Sequence, residues 1–287
     1  MVQRPLGNHH YGPDTLLVTS DTADTARTER AERAERAAAL NAGTGTGDAA
    51  GVETGDEAGR VRDLVARARY VLWDFDGPVC SLFSGHSAEQ VATDLVRWLE
   101  GRGLRGLVTE EERKSLDPHV VLRAVDARHP GSDLVTELEE RLTKEELRAT
   151  SSAMPTAYAD PLIRTWSAMG VRLAVATNNA PVVVRQYLTG RGLLSCFAPH
   201  IYGRTQNLHL LKPHPYCLSR GLSAMGAAPT DALMIGDTPS DFHAAKSAGV
   251  PFLGYARNED KEKLLRDAGA TSTVRSLLPV LRALSAS

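Results

Sequence analysis

The sequence predicts an α/β protein with a parallel sheet core, a helical domain inserted after the first strand, and a disordered N-terminal tail. Three observations carry this reading. Short apolar runs at 70–73, 171–177 and 232–236 end in polar or acidic residues, the pattern of strands buried on both faces. Amphipathic helical stretches separate these runs, an alternation that implies helices covering both sides of a parallel sheet. The block 82–157 breaks the alternation with helices alone. The expected organisation is a tail at 1–58, a core formed by 59–81 and 158–287, and a helical insert at 82–157.

The tail is low in large apolar residues and includes the tract NAGTGTGDAAGVETGDEAG, so it cannot bury enough surface to offset its ordering entropy. Its repeat TERAERAERAA places Glu29 four residues before Arg33 and Glu32 four before Arg36. Such pairs contribute only tenths of a kcal/mol in a helix, and no apolar stripe accompanies them. Tyr-Val-Leu-Trp at 70–73 is the first strand. Residues 87–103 carry apolar positions 91, 95, 98 and 99 and end in glycines, marking a helix. Helices are expected at 109–127, 132–150 and 160–169, then the strand 171–177 and a helix from Pro181 to Leu188. A strand at 200–202, a helix at 214–225, the strand ALMIG, a helix at 239–248, the strand PFLGYA and a helix at 275–284 complete the chain. The charge run RNEDKEK at 257–263 reads as solvated loop, and Trp73, Trp98 and Trp166 as core.

The 33 Lys+Arg against 35 Asp+Glu give a net charge of -2, which argues against a dedicated nucleic-acid or membrane-surface binder. Three cysteines, Cys80, Cys196 and Cys217, make no disulfide framework. No run is long and apolar enough to cross a bilayer, and no secretory signal is evident at the start. A cytoplasmic location is expected.

Asp74 and Asp76 stand at the end of one strand, Asp237 and Asp241 at the end of another. Singly, each reads as a turn former or helix cap. Carboxylates gathered at strand tips repel unless a cation lies between them, and a few oxygen ligands completed by water and substrate suit Mg²⁺. Thr177 and Asn178 follow a strand and precede a helix, where a hydroxyl and backbone amides can hold a phosphate. Lys212, in LLKPHP, can neutralise such a group.

The ordered set DFDGPV, VATNN, KP and GDTPSD resembles the haloacid dehalogenase-like hydrolase superfamily over residues 70–285. The resemblance implies a Rossmann-like core with the insert as an α-helical cap. It also implies a phosphatase working through an aspartyl-phosphate on a small phosphorylated metabolite. Asp74 would be the nucleophile, Asp76 the general acid/base and Lys212 the charge stabiliser. Thr177 with Asn178 would bind the phosphoryl group. Asp237 would hold Mg²⁺ with Asp74 and the carbonyl of Asp76, with Asp241 completing or orienting the site. Pro78 departs from the usual Thr or Val and implies altered loop rigidity. Asp76 favours phosphate chemistry over carbon–halogen cleavage, because dehalogenases of the family lack it. Lys114 and Lys144 lie in surface helix contexts that do not suit a Schiff base. From the cap, His86 and Arg123 are the candidates for substrate selection. A phosphomutase would share these motifs, and a non-catalytic regulator that recruits a partner through its tail is the alternative from another class.

Overall fold

The computed structural model describes residues 55–285, beginning with helix α1 (Gly55–Arg67), which leads into strand β1 (Tyr70–Trp73). After β2 (Cys80–Ser81) the chain enters the insert, with α2 (Ala88–Gly101), α3 (Glu110–Arg113), α4 (Pro118–Arg128) and α5 (Asp133–Ala149). It returns through β3 (Met154–Pro155), which pairs antiparallel with β2, Cys80 opposite Pro155. Entry and exit of the insert are thus tied side by side.

The core continues with α6 (Ala159–Ala168), β4 (Arg172–Ala176), α7 (Pro181–Gly190), α8 (Leu194–Phe197) and β5 (Ile201–Tyr202). It is completed by α9 (Tyr216–Met225), β6 (Ala232–Gly236), α10 (Pro239–Ala248) and β7 (Phe252–Tyr255). The chain ends with α11 (Glu259–Asp267), β8 (Thr273–Val274) and α12 (Leu278–Ser285). Six parallel strands make one sheet in the order β5-β4-β1-β6-β7-β8.

Because side chains alternate across a strand, β1 feeds both faces of the sheet. Val71 and Trp73 face a core shared with α1, α6, α7 and α12, where Trp73 meets Trp166 edge-on at 5.8 Å between centroids. Leu72 faces the other side and packs with Ala174, Met234, Leu218 and Ala244. Full burial of such side chains contributes about 1.5–3 kcal/mol each. The insert has its own core of Val91, Leu95, Leu99, Val121, Leu122 and Leu138, closed from the sheet side by Leu208 and Leu211.

Trp73 is in register with Val175 on one side and Ile235 on the other. The three central strands therefore end at one level. Asp74, Thr177 and Asp237, the first residues past their ends or within one step of them, are delivered to the same edge of the sheet.

The structure departs from the sequence reading in four places. The helix expected at 109–127 is broken before Asp117, which caps α4 by accepting from the His119 amide, with Pro118 in the first turn. The run 257–263, read as solvated loop, opens into α11, whose buried anchor is Leu265, and the strand β8 follows where none is expected. Trp98 is half-buried on the insert surface, sandwiched by the Arg102 and Arg141 guanidinium groups at 4.5 and 4.4 Å from its ring. The tail expected at 1–58 overlaps α1, whose Val61 and Val65 are buried. The rest of that tail lies outside the described residues. Among the described residues no helix is long and apolar enough to cross a membrane.

Glu57, within the overlap, pairs with Arg266 at 2.8 Å and accepts from Thr273 Oγ1 at 3.4 Å. A chain starting at residue 59 is expected to unfold about 1 kcal/mol more easily in urea than one starting at residue 53, allowing for solvent screening at the partly exposed Arg266. Equal midpoints would show that the first turn of α1 contributes nothing.

Candidate active site

Lys212 organises the edge to which the strands deliver their ends. Lys212 is 1% exposed, and its ammonium lies 2.7 Å from Asp74 Oδ1 and 2.5 Å from Asp241 Oδ1. It also donates to the Ala176 carbonyl at 3.0 Å. The Lys212 backbone is fixed by a reciprocal pair with Asn178: its N–H donates to Asn178 Oδ1 at 2.8 Å, and Asn178 Nδ2 donates to its carbonyl at 3.2 Å. Asp241, in the first turn of α10, accepts at Oδ2 from the amides of Asp237 and Thr238 and from Thr238 Oγ1. Its carboxylate thus ties the end of β6 to the helix that follows.

Two glycines let these groups approach. Gly77 has φ +117°, and a Cβ there would lie 2.4 Å from Asp237 Cγ. At Gly236 a Cβ would lie 2.4 Å from that of Asp241. The turn after Asp74 is closed by the Gly77 amide donating to Cys80 O at 2.6 Å, with Pro78 buried inside it. Asp76 accepts from the Leu82 amide at 2.8 Å.

Asp74, Asp76, Thr177, Asn178, Lys212 and Asp237 line one cavity of about 220 Å³, with Asp241 at its base. Burial, reinforced by Asp241 and opposed by Lys212, pushes the Asp74 carboxyl up to about 7. Burial likewise raises Asp76 to about 6 and raises Asp237. Burial opposes the charge on Lys212, but Asp241 and Asp74 outweigh it and hold the ammonium protonated more firmly than in an ordinary lysine. Carboxylates therefore exceed the positive charge available to them. Asp74, Asp237 and Asp241 each place an oxygen within 4.8 Å of the others, so the three can hold a metal ion. Asp237 Oδ1 is buried without a hydrogen-bond partner, which fits a cation as its missing partner.

The side chains of Asp74, Asp237 and Asp241 form this cluster, and Asp76 is expected there through its backbone carbonyl rather than its side chain. The two cap candidates fall outside the cavity lining. His86 bonds to Glu145 at 2.9 Å and stacks on Phe83. Arg123 donates to the Lys212 carbonyl at 3.4 Å and lies 3.8 Å from Asp117, behind the wall rather than in it. Asp117 and His119 of the insert line the cavity instead. From the core side come Arg257 and Lys261, members of the run read as solvated loop. Lys261 Nζ bonds to Asp237 Oδ2 at 2.8 Å, an assignment hidden because the intervening fold of β7 and α11 brings it back to the sheet edge. Cys80 is buried beside Phe75, and burial pushes its thiol pKa up, which disfavours the thiolate.

A sequence profile of the haloacid dehalogenase-like hydrolases matches residues 68–249, and the chain belongs to that family. A phosphoglycolate phosphatase of Rhodospirillum rubrum is 38% identical over 113 residues, covering 38% of this chain and 45% of the relative. Another, from Xylella fastidiosa strain Temecula1, is 27% identical over 199 residues, covering 67% and 83%. The chain spans about half the length of several of the curated relatives it matches. Among solved structures, a haloacid dehalogenase-like hydrolase of Streptococcus pneumoniae superposes with a TM-score of 0.55 at 16% identity, covering 76% of this chain and 98% of that one. A family hydrolase of Deinococcus radiodurans with bound phosphate and sodium gives 0.51 at 23%, covering 77% and 96%. These likenesses show the fold.

A folded state that binds protons at Asp74 and Asp76 more tightly than the unfolded chain loses stability as pH rises from about 4 to about 7. His119, raised to about 9 because Asp117 and Glu146 outweigh its burial, acts in the same direction: its contribution is full below the unfolded value and lost as pH rises through about 9. Glu146, held at about 2 because Arg204 and His119 outweigh its burial, is constant above pH 5. Urea midpoints in the presence of a chelator are therefore expected to fall from pH 5 through 7 to 9, and a divalent cation is expected to raise the midpoint at pH 7. A midpoint that rises over this range, or ignores the cation, would contradict this picture of the site.

Proposed function

We propose that the chain is a cytoplasmic, Mg²⁺-dependent phosphomonoester hydrolase acting on a small phosphorylated metabolite through an aspartyl-phosphate on Asp74. The observation that carries this reading is the Asp74 carboxylate, gripped by buried Lys212 at the floor of a cavity that also presents Asp76 and the three-carboxylate cluster. The all-oxygen donor set suits a hard cation such as Mg²⁺. Residues 82–157 serve in this reading as the cap over a core formed by 59–81 and 158–287. The relatives named phosphoglycolate phosphatase support phosphate chemistry, as does a phosphoserine phosphatase of Thermus thermophilus that is 37% identical over 82 residues.

Asp74 attacks phosphorus as the bond to the leaving oxygen breaks, and Asp76 gives that oxygen its proton. Asp76 then takes a proton from a water molecule whose oxygen attacks the same phosphorus, releasing phosphate and restoring the Asp74 carboxylate. A group at about 6 is poised to act as acid and then base near neutrality. Lys212 offsets negative charge on Asp74 and on the transferred group, while Thr177 and Asn178 orient it. Mg²⁺ held by Asp74, Asp237 and Asp241 would supply charge neutralisation at the phosphoryl oxygens.

Phosphate release from an aryl phosphate, measured with and without Mg²⁺, tests this. Turnover is expected only with Mg²⁺, to vanish in Asp74→Asn, and to fall about 10²–10⁴-fold in Asp76→Asn. Unchanged release in Asp74→Asn, or an isomerised phosphate ester in place of free phosphate, would overturn the hydrolase reading.

A further inference from the structure

A second set of charges lies beside the phosphate turn and is built in the opposite way, with every group satisfied. Arg204, just past β5, and Glu146, on α5 of the insert, both have side chains at 0% exposure. The guanidinium grips the carboxylate with two bonds, Nη1 to Oε1 at 2.8 Å and Nη2 to Oε2 at 2.9 Å. It also donates to Glu139 at 2.9 Å, to Thr143 Oγ1 at 2.8 Å and to the Asn178 carbonyl at 3.0 Å. A buried pair of this kind often adds no net stability over an apolar pair of equal volume, so its place needs another reason.

That reason lies in what else Glu146 accepts. Asn179 Nδ2 donates to Oε1 at 3.0 Å, and the Ala180 amide donates to Oε2 at 3.2 Å. Ala180 precedes α7 and has no side-chain cap of its own, so a residue of the insert caps a helix of the core. A carboxylate only accepts hydrogen bonds, which fixes the Asn179 amide with Nδ2 towards Glu146 and Oδ1 towards Thr177. Asn179 Oδ1 then accepts from Thr177 Oγ1 at 3.0 Å, and the Asn179 backbone N–H donates back to Thr177 Oγ1 at 3.2 Å. The rotamer of Thr177 is thereby set through Asn179 by a side chain of the insert. A phosphoryl oxygen, being charged, is a stronger acceptor than the Asn179 amide and draws the preset hydroxyl to itself.

We propose that Glu146 and Arg204 are positioning residues for the phosphate turn, coupling the seating of the insert on the core to the placement of Thr177 and Asn179. This rests on the phosphatase reading above. The pair touches no reacting atom; it acts through Asn179, and it also holds the Asn178 carbonyl and lies beside His119, 3.4 Å from Glu146 Oε1.

The test compares Arg204→Met, the double variant Glu146→Met/Arg204→Met and Asn179→Ala, reading melting temperature, KM, kcat and inhibition by inorganic phosphate. Arg204→Met is expected to melt lowest, because it strands a buried carboxylate. The double variant is expected to recover most of that stability while KM and the inhibition constant for phosphate stay about tenfold above wild type. Its kcat is expected to remain within about threefold, since the turn holds the phosphoryl group alike in ground and transition states. Asn179→Ala, which leaves the ion pair intact, is expected to show the same rise in both constants. A stable double variant with wild-type KM and phosphate inhibition would overturn the proposal. Should the double variant not fold, wild-type constants in Asn179→Ala would overturn it and raised ones would support it. Wild-type protein without turnover would overturn the phosphatase reading and this inference with it, whereas active wild type with unaltered variants would overturn the positioning role alone.

Discussion

The arrangement of the site depends on one buried ammonium. Lys212 reaches from a loop to the ends of three strands, touching Asp74 after β1, the Ala176 carbonyl that ends β4, and Asp241 beyond β6. These contacts exist together only because Trp73, Val175 and Ile235 are in register across parallel strands. Slipping one strand by a residue would turn its side chains to the opposite face and scatter the three partners. The ammonium also makes the carboxylates tolerable to one another, since a buried carboxylate left without its partner costs several kcal/mol.

Two clusters of buried charge differ in how completely they are neutralised. At the cavity floor Asp74, Asp76 and Asp237 have raised proton affinities, and one Asp237 oxygen has no hydrogen-bond partner. Beside it Glu146 is held at about 2, with both oxygens saturated by Arg204, Asn179 and the Ala180 amide. The first cluster has unmet demand for positive charge, the condition under which a cation is accepted. The second has none, the condition under which a group stays in place. Thr177 lies where the two meet, lining the cavity on one side and bonded to Asn179 on the other.

The sheet and its tips were legible in the sequence because buried parallel strands are short apolar runs, and the register puts whatever follows them at one edge. Asp74, Thr177 and Asp237 could be found that way, and Lys212 by its setting between prolines. Residues that reach the site from elsewhere carried no such mark. Glu146 sits in LTKEELR, the pattern of a solvated helix face, and its burial depends on α7 and the Arg204 loop packing over it. Asp117 was visible as a cap before Pro118, but a cap residue gives no sign of what cavity it borders. Lys261 was lost in a charge run for the same reason. His86 and Arg123 show the converse: polar residues in the insert, chosen for their chemistry, that themselves fall outside the cavity lining, His86 bonded to Glu145 and Arg123 to the Lys212 carbonyl.

The central claim is that Asp74 itself carries the phosphoryl group. Acid quenching during turnover of an aryl phosphate, followed by peptide mass analysis, addresses it most directly. The account predicts one phosphoryl group on the peptide containing Asp74, absent when substrate is omitted. Steady phosphate release with no labelled peptide under conditions where hydrolysis of the intermediate limits turnover, or a label on another residue, would contradict it.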